Sequence, residues 1–301
     1  MNGKRRLKMK QLTRLFIPIC LETLFYMLSG MVDTLMLSAV GDYAVGAVGT
    51  ANSYIGIFII MFSIISSGMV SVMTQNIGAG RPGVAYQARQ LGLLFNAVAG
   101  VLMAVFLFSG AGAILRMVGI ADALYEPALI YLKIVGGGCI LNAVIPIFSS
   151  YLRAFGYTKQ PLYATIVGNI ANFVMNAVFL FVLHKGVAGV AIATVISKIL
   201  NLCIVLYFSH KLISAKNSTE RIANKTVLGQ IVKVGLPSAC ETALYNVAMM
   251  LVIRFLNQMD AEGLNVTARS YTATISNFSY CVGAALAHDR LAHRCWGTRR
   301  V

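Results

Sequence analysis

An all-α fold that crosses a membrane many times is predicted by three features of this sequence: its composition, the length of its apolar runs and the placement of its cations. Of 301 residues, 58% are hydrophobic and 12% charged, with mean hydropathy +0.75. Soluble domains carry about a quarter charged residues. The balance excludes a disordered chain, which needs low hydrophobicity and high charge, and argues against an ordinary soluble enzyme.

A spanning helix needs about 20 apolar residues. Eight runs reach that length, at about 15–38, 52–76, 90–111, 124–151, 161–183, 187–208, 230–257 and 267–287. They are continuous rather than alternating, which argues against a strand barrel.

Lys and Arg exceed Asp and Glu by 25 to 10, for a net charge of +15. With a cytoplasmic N-terminus, most of these cations fall on one side. Lys4, Arg5, Arg6, Lys8, Lys10 and Arg14 precede the first span, and Arg81 and Arg89 follow the second. Arg153 and Lys159 join the fourth and fifth, and Lys211, Lys216, Arg221, Lys225 and Lys233 lie between the sixth and seventh. Across the membrane the clear cases are Arg116 and Lys185. This asymmetry places a multi-pass protein in the inner (cytoplasmic) membrane with its N-terminus inside. It accounts for the positive charge without a nucleic-acid partner.

Six cysteines occur, five of them in apolar runs and none in a CxxC pair, so they are expected as buried thiols rather than a disulfide or zinc framework. Gly78–Gly83 fits GxGxxG but follows a membrane span rather than a strand, so it predicts a turn and no dinucleotide site. No Walker A, DDxxD or HxxxxD pattern is present. The sequence therefore predicts no enzyme, no cofactor and no obligate protein partner. Its expected partners are small molecules and the lipid bilayer.

The chain repeats itself. QLTRLFIPICLETLFY at 11–26 aligns with QIVKVGLPSACETALY at 230–245, pairing Pro18 with Pro237, Glu22 with Glu241 and Tyr26 with Tyr245. TANSY at 50–54 aligns with TARSY at 267–271. Six spans intervene, so both copies enter from the same side, as in parallel-repeat transporters. The predicted organisation is a six-helix bundle at 1–208, a cytoplasmic linker at 209–228, the first two helices of a second bundle at 229–287, and an aberrant polar tail at 288–301.

These residues resemble the multidrug and toxic compound extrusion (MATE) family. The resemblance rests on IPICLETLFYMLSGMVDTLML in span 1, TQNIGAGR at 74–81, RAFGYTKQP at 153–161 and GVAGVAIATVIS at 186–197, in that order and together with the repeat. It implies two six-helix bundles around a central cavity. It also implies export of organic cations and amphipathic drugs in exchange for Na+ or H+ by alternating access.

Three acids lie well inside the spans, away from their ends: Glu22, Asp33 and Glu241. An ionisable group at mid-membrane costs about 2.5–3.5 kcal/mol on insertion scales, so such residues are functional candidates. By resemblance, an aspartate in the setting of Asp33 binds the coupling ion. Asn172 and Asn176 are four residues apart on one helical face. With Thr194 they match positions that hold the ion in one family branch, which carries an acid where this chain has Asn176. The expected ion-coupling set is thus Asp33, Asn172, Asn176 and Thr194, with no metal other than Na+ there. Ordinary hydrogen bonding between helices is an equal reading of the two asparagines. Glu22, Tyr26, Glu241 and Tyr245 are candidates for the substrate cavity. For the two glutamates the favoured alternative is satisfying the helix turn distorted by the preceding proline.

After Ala287 the sequence changes abruptly to HDRLAHRCWGTRRV, where the repeat predicts an apolar helix end. A frame shift or truncation would explain the change. It would leave Glu241 poorly sheltered and a chain that exports little by itself. A lipid-linked oligosaccharide flippase of the same superfamily and a non-transporting remnant are the competing functions.

Overall fold

The computed structural model describes residues 2–118, 122–213 and 222–259. Among them every regular element is helical: α1 Asn2–Ser38, α2 Asp42–Gly78, α3 Pro82–Val118, α4 Asp122–Gly137, α5 Cys139–Ala154, α6 Lys159–Ala177, α7 Gly186–Leu212 and α8 Asn224–Met259. A π turn, Val178–Val182, follows α6 directly. The expected span at 267–287 and the tail at 288–301 lie outside the described residues.

The first seven predicted spans fall on these helices, with two differences. First, the helices outrun the apolar windows: α2 begins at Asp42 and α3 at Pro82. Proline is suited to a first helical position because its missing N–H is unpaired there anyway. Likewise, α7 runs to Leu212 and α8 starts at Asn224, so helix occupies both ends of the expected 209–228 linker. Second, the run at 124–151 is not one rod. It breaks at Gly138 into α4 and α5, bent by 42°. Glycine is a usual cause of a sharp kink, and three glycines, Gly136–Gly138, stand at the break.

By length and hydropathy, Ile17–Ser38, Pro82–Arg116, Lys159–Val182 and Gly186–Leu212 can each cross a bilayer among the described residues, and the bent pair α4–α5 is long and apolar enough for a fifth if it is one span. The side chains are distributed to match. Large apolar residues point outward from α3, α6, the π turn and α7, among them Leu102, Phe108, Phe173, Val182 and Tyr207. The interior mixes large apolar side chains such as Phe62, Leu107 and Leu132 with many small ones, including Ala44, Ala47, Ala51, Ala111, Ala128, Ala143 and Ala191. A lipid-facing exterior and small residues where helices approach closely are what helix association in a membrane requires.

Polar groups cross-link the interior at several places. Asn96 on α3 is buried and donates through Nδ2 to Ala143 O at 3.1 Å, Ser66 Oγ at 3.2 Å and Phe62 O at 3.3 Å, fastening α2, α3 and α5. Gln87 on α3 holds the entry to α8. Its Nε2 donates to Ile222 O at 2.7 Å and Asn224 Oδ1 at 2.5 Å, and its Oε1 accepts from Ile222 N at 3.2 Å. Arg89 lies inside α3 with its guanidinium 4.5 Å from the Tyr86 ring centre and 4.7 Å from that of Tyr151, a cation–π setting rather than a free connector charge. Arg153 ends α5 and pairs with Glu22.

The cysteines depart from expectation. Cys139 is buried and Cys20 partly so, whereas Cys203 and Cys240 are exposed, since an apolar run also supplies the outward face of its helix. Cys281 and Cys295 lie outside the described residues.

The contact between α2 and α8 depends on a missing side chain. A Cβ placed on Gly68 would sit 2.0 Å from the carbonyl oxygen of Ile231. Backbone cannot yield as a flexible side chain can, so Gly68→Ala forces the helices apart. The expected loss is about 1–3 kcal/mol of stability. Melting of the purified variant in detergent checks this against Gly229→Ala, whose Cβ meets nothing within 4 Å and which should hold or slightly raise the melt, because alanine is the better helix former.

Candidate functional site

Three helices supply the site. α1 carries Asp33 and packs on α6, which carries Asn169, Asn172 and Asn176; α7 packs on α6 and carries Thr194, Ser197 and Lys198. The spacing of the three asparagines turns them all toward α1 and α7. Gly168, buried on the same stretch of α6, lets Asn201 and the Ser197 carbonyl of α7 come close, at 3.4–3.5 Å from where its Cβ would be.

Asn176 is the hub and has no exposed surface. Its Nδ2 donates to Asp33 Oδ1 at 2.7 Å and to Asn172 Oδ1 at 3.2 Å. Asn172 passes the chain on, its Nδ2 reaching Ser197 Oγ at 3.5 Å, and the Ser197 hydroxyl donates to Thr194 O at 2.9 Å. Asn169 makes a separate tie, donating to the Phe25 carbonyl of α1 at 2.8 Å. The oxygen Asn176 Oδ1 is buried without a hydrogen-bond partner. A buried acceptor left open costs about 1–3 kcal/mol, so it marks a place where a donor or cation would be stabilised. The π turn beginning two residues later fits the frequent occurrence of such turns at functional sites.

The structure thus brings together Asp33, Asn172 and Asn176 of the expected set. Thr194 is placed differently: its hydroxyl donates to Val190 O at 2.8 Å within its own helix, and Ser197 takes the side-chain contact with Asn172. Ser197 is three residues from Thr194 and so on the same face, a signal present in the sequence. Lys198 follows Ser197 on α7 and forms no ion pair with Asp33 within 4.0 Å.

The cavity candidates separate. Glu22 is buried on α1, one turn after Pro18, and its Oε1 accepts from Arg153 Nη2 at 2.5 Å. It therefore serves an ion pair between α1 and the end of α5, where a local role in the proline turn was the favoured alternative. The RAFGY segment shapes that partner's surroundings. Gly156, at φ 89°, turns the chain so that its N–H bonds Arg153 O at 2.9 Å and Tyr157 N bonds Leu152 O at 2.9 Å. Such a left-handed residue closing a helix is most easily glycine. Glu241 lies exposed on α8. The side chains of Tyr26 and Tyr245 lie outside the described residues.

A helical membrane bundle with a carboxylate set among buried amides is the class of protein that this fold and site define. The chain belongs to the MatE family, whose model matches residues 18–178. It is 34% identical over 276 residues to the uncharacterized transporter YisQ of Bacillus subtilis, an alignment covering 90% of this chain and 60% of that one. It is 24% identical over 282 residues to the probable multidrug resistance protein NorM of Thermotoga maritima, covering 87% and 59%. Its fold is similar to the outward-facing conformation of a multidrug resistance MATE family transporter of the MOP superfamily. That match has a TM-score of 0.83 at 20% identity and covers 97% of this chain and 65% of the other. The chain therefore spans about 60% of the length of these curated relatives.

Proposed function

We propose that the protein is a secondary antiporter that exports organic cations or amphipathic drugs, driven by inward movement of a cation, Na+ or H+, through alternating access. The observation that carries this reading is the Asp33–Asn176–Asn172 chain, a carboxylate and buried amides tying α1 to α6. Family membership supports it, as does the description of a relative as a multidrug resistance protein. Asp33 is the ion-binding group. When its charge is neutralised by a bound ion, the Asn176 amide loses its anionic acceptor and the tie from α1 to α6 weakens. An ion that binds two conformations unequally shifts the balance between them, and this is the condition for coupling. The acids in the spans favour cationic cargo over the anionic pyrophosphate carried by a flippase. The N-terminus is cytoplasmic, residues 1–208 form the first bundle, and the second begins with α8.

Retention of a fluorescent organic cation by cells of an efflux-deficient host tests the reading. Expression of the chain should lower retention, and collapsing the membrane cation gradients should restore it. Lowered retention that survives that collapse would contradict ion-driven export. Unchanged retention with a folded, inserted protein would favour the non-transporting alternative.

A further inference from the structure

We propose that the outward face of α7, over its last three turns, is a binding site for an acidic phospholipid. Lys211 and His210 hold the headgroup, and Leu206 and Cys203 lie along an acyl chain. Such a site needs neither the transport activity nor the role of Asp33 proposed above.

A groove of about 620 Å³ runs along this face, lined by Cys203, Leu206, Tyr207, His210 and Lys211. Steps of three and four residues place all five on one stripe of the helix. The buried Val205 and Ser209 mark the packed side. The hydrocarbon of one leaflet is about 15 Å deep, half of the ~30 Å core. At 1.5 Å per residue that is about ten residues of helix. Counted back from His210, this depth takes in Leu206 and Cys203 and reaches Leu200, all exposed. The stripe is therefore apolar through one leaflet and basic where that leaflet ends.

The head end is arranged by helix geometry. Side chains on a helix lean toward its N-terminus. The lean carries Lys211 back over Tyr207, so that its Nζ donates to the Tyr207 hydroxyl at 3.1 Å and lies 5.3 Å from the ring centre. Phe208 meets the Tyr207 ring edge-on at 5.5 Å. An ammonium has three N–H donors, and the tyrosine takes one. Among the described residues neither Lys211 nor His210 forms an ion pair. No Asp or Glu occurs between Glu126 and Glu220. Arg153 and Arg89 differ in this respect, since Glu22 engages the first and the rings of Tyr86 and Tyr151 the second. The negative end of the α7 dipole also favours cations in the last turn. That accounts for their place in the helix but not for the groove beneath them. A cation without a protein counter-charge, set at the head of an apolar stripe, complements a lipid with a net negative head. A zwitterionic head brings a cation of its own, which Lys211 repels.

The test is photocrosslinking in phosphatidylcholine vesicles that contain the purified full chain. Each sample carries a trace of phosphatidylglycerol or of phosphatidylcholine with a diazirine in its acyl chain, and the adducts are mapped by mass spectrometry. Adducts on residues 199–206 should be about fivefold more abundant with phosphatidylglycerol, the effect of about one cation beside an anionic lipid. Lys211→Gln should bring the two lipids to near parity. Lys211→Arg keeps the charge and should retain the excess, which separates charge from folding. Equal labelling of the wild type by both lipids would overturn the proposal. An excess that persists in Lys211→Gln would overturn the role of Lys211. No adducts on 199–206 with either lipid would show that protein covers this face, and would overturn the site.

Discussion

Asp33→Asn leaves the protein folded and inserted but lowers cation-driven efflux by about 100-fold, the upper part of the range for coupling free energies between sites. The fold should persist because the introduced amide has an oxygen where Asp33 Oδ1 accepts from Asn176 Nδ2 at 2.7 Å. Coupling should fail because an amide neither carries the charge that attracts a cation nor releases a proton. Efflux measured at equal membrane abundance checks the claim. Wild-type rates in this variant would remove Asp33 from the mechanism. Asn176→Leu supplies the complementary case: it deletes the hub without touching the charge, and should disturb the packing of α1 on α6 as well as transport.

Arg153→Ala has the largest expected effect on stability. It strands Glu22, which is 9% exposed, without its cation. Breaking a buried ion pair from one side costs about 3–5 kcal/mol, because the remaining charge has lost its compensation. The remaining carboxylate oxygen, Glu22 Oε2, has no hydrogen-bond partner to soften that loss. The melting temperature in detergent should fall by about 10 °C. Replacing both partners by leucine should recover most of it, since a well-packed apolar pair avoids the desolvation of both ions. A single variant that melts as wild type would show that the pair contributes nothing net.

The site was legible in the sequence to the extent that it depends on helix geometry. Asn172 and Asn176 fall four residues apart, so their meeting follows from helical periodicity once residues 161–183 are read as a helix. Asp33 is conspicuous because a carboxylate in an apolar run has few reasons to be there. The fold was legible for the same reason: continuous apolar runs of spanning length specify helices in a bilayer whatever their packing. What periodicity does not contain is the partner across the bundle. Glu22 and Arg153 lie 131 residues apart, and hydropathy assigns Arg153 to a connector. Only the packing of α5 brings its last turn against α1. Arg89 was hidden in the same way, since charge counting cannot show that its guanidinium lies over aromatic rings. The break at Gly138 depends on how α7 approaches the bend, where Val195 Cγ2 comes 3.2 Å from the position of a Gly138 Cβ. The difference between Thr194 and Ser197 is one of rotation about α7, finer than spacing alone resolves.

The central claim, that a cation gradient drives export through Asp33, is tested most directly in proteoliposomes containing the purified chain and a fluorescent organic cation. Proton and Na+ gradients are imposed in separate arms. The account predicts that at least one of the two gradients drives accumulation of the dye and that collapsing it stops accumulation. Accumulation that proceeds equally with every gradient collapsed would contradict it.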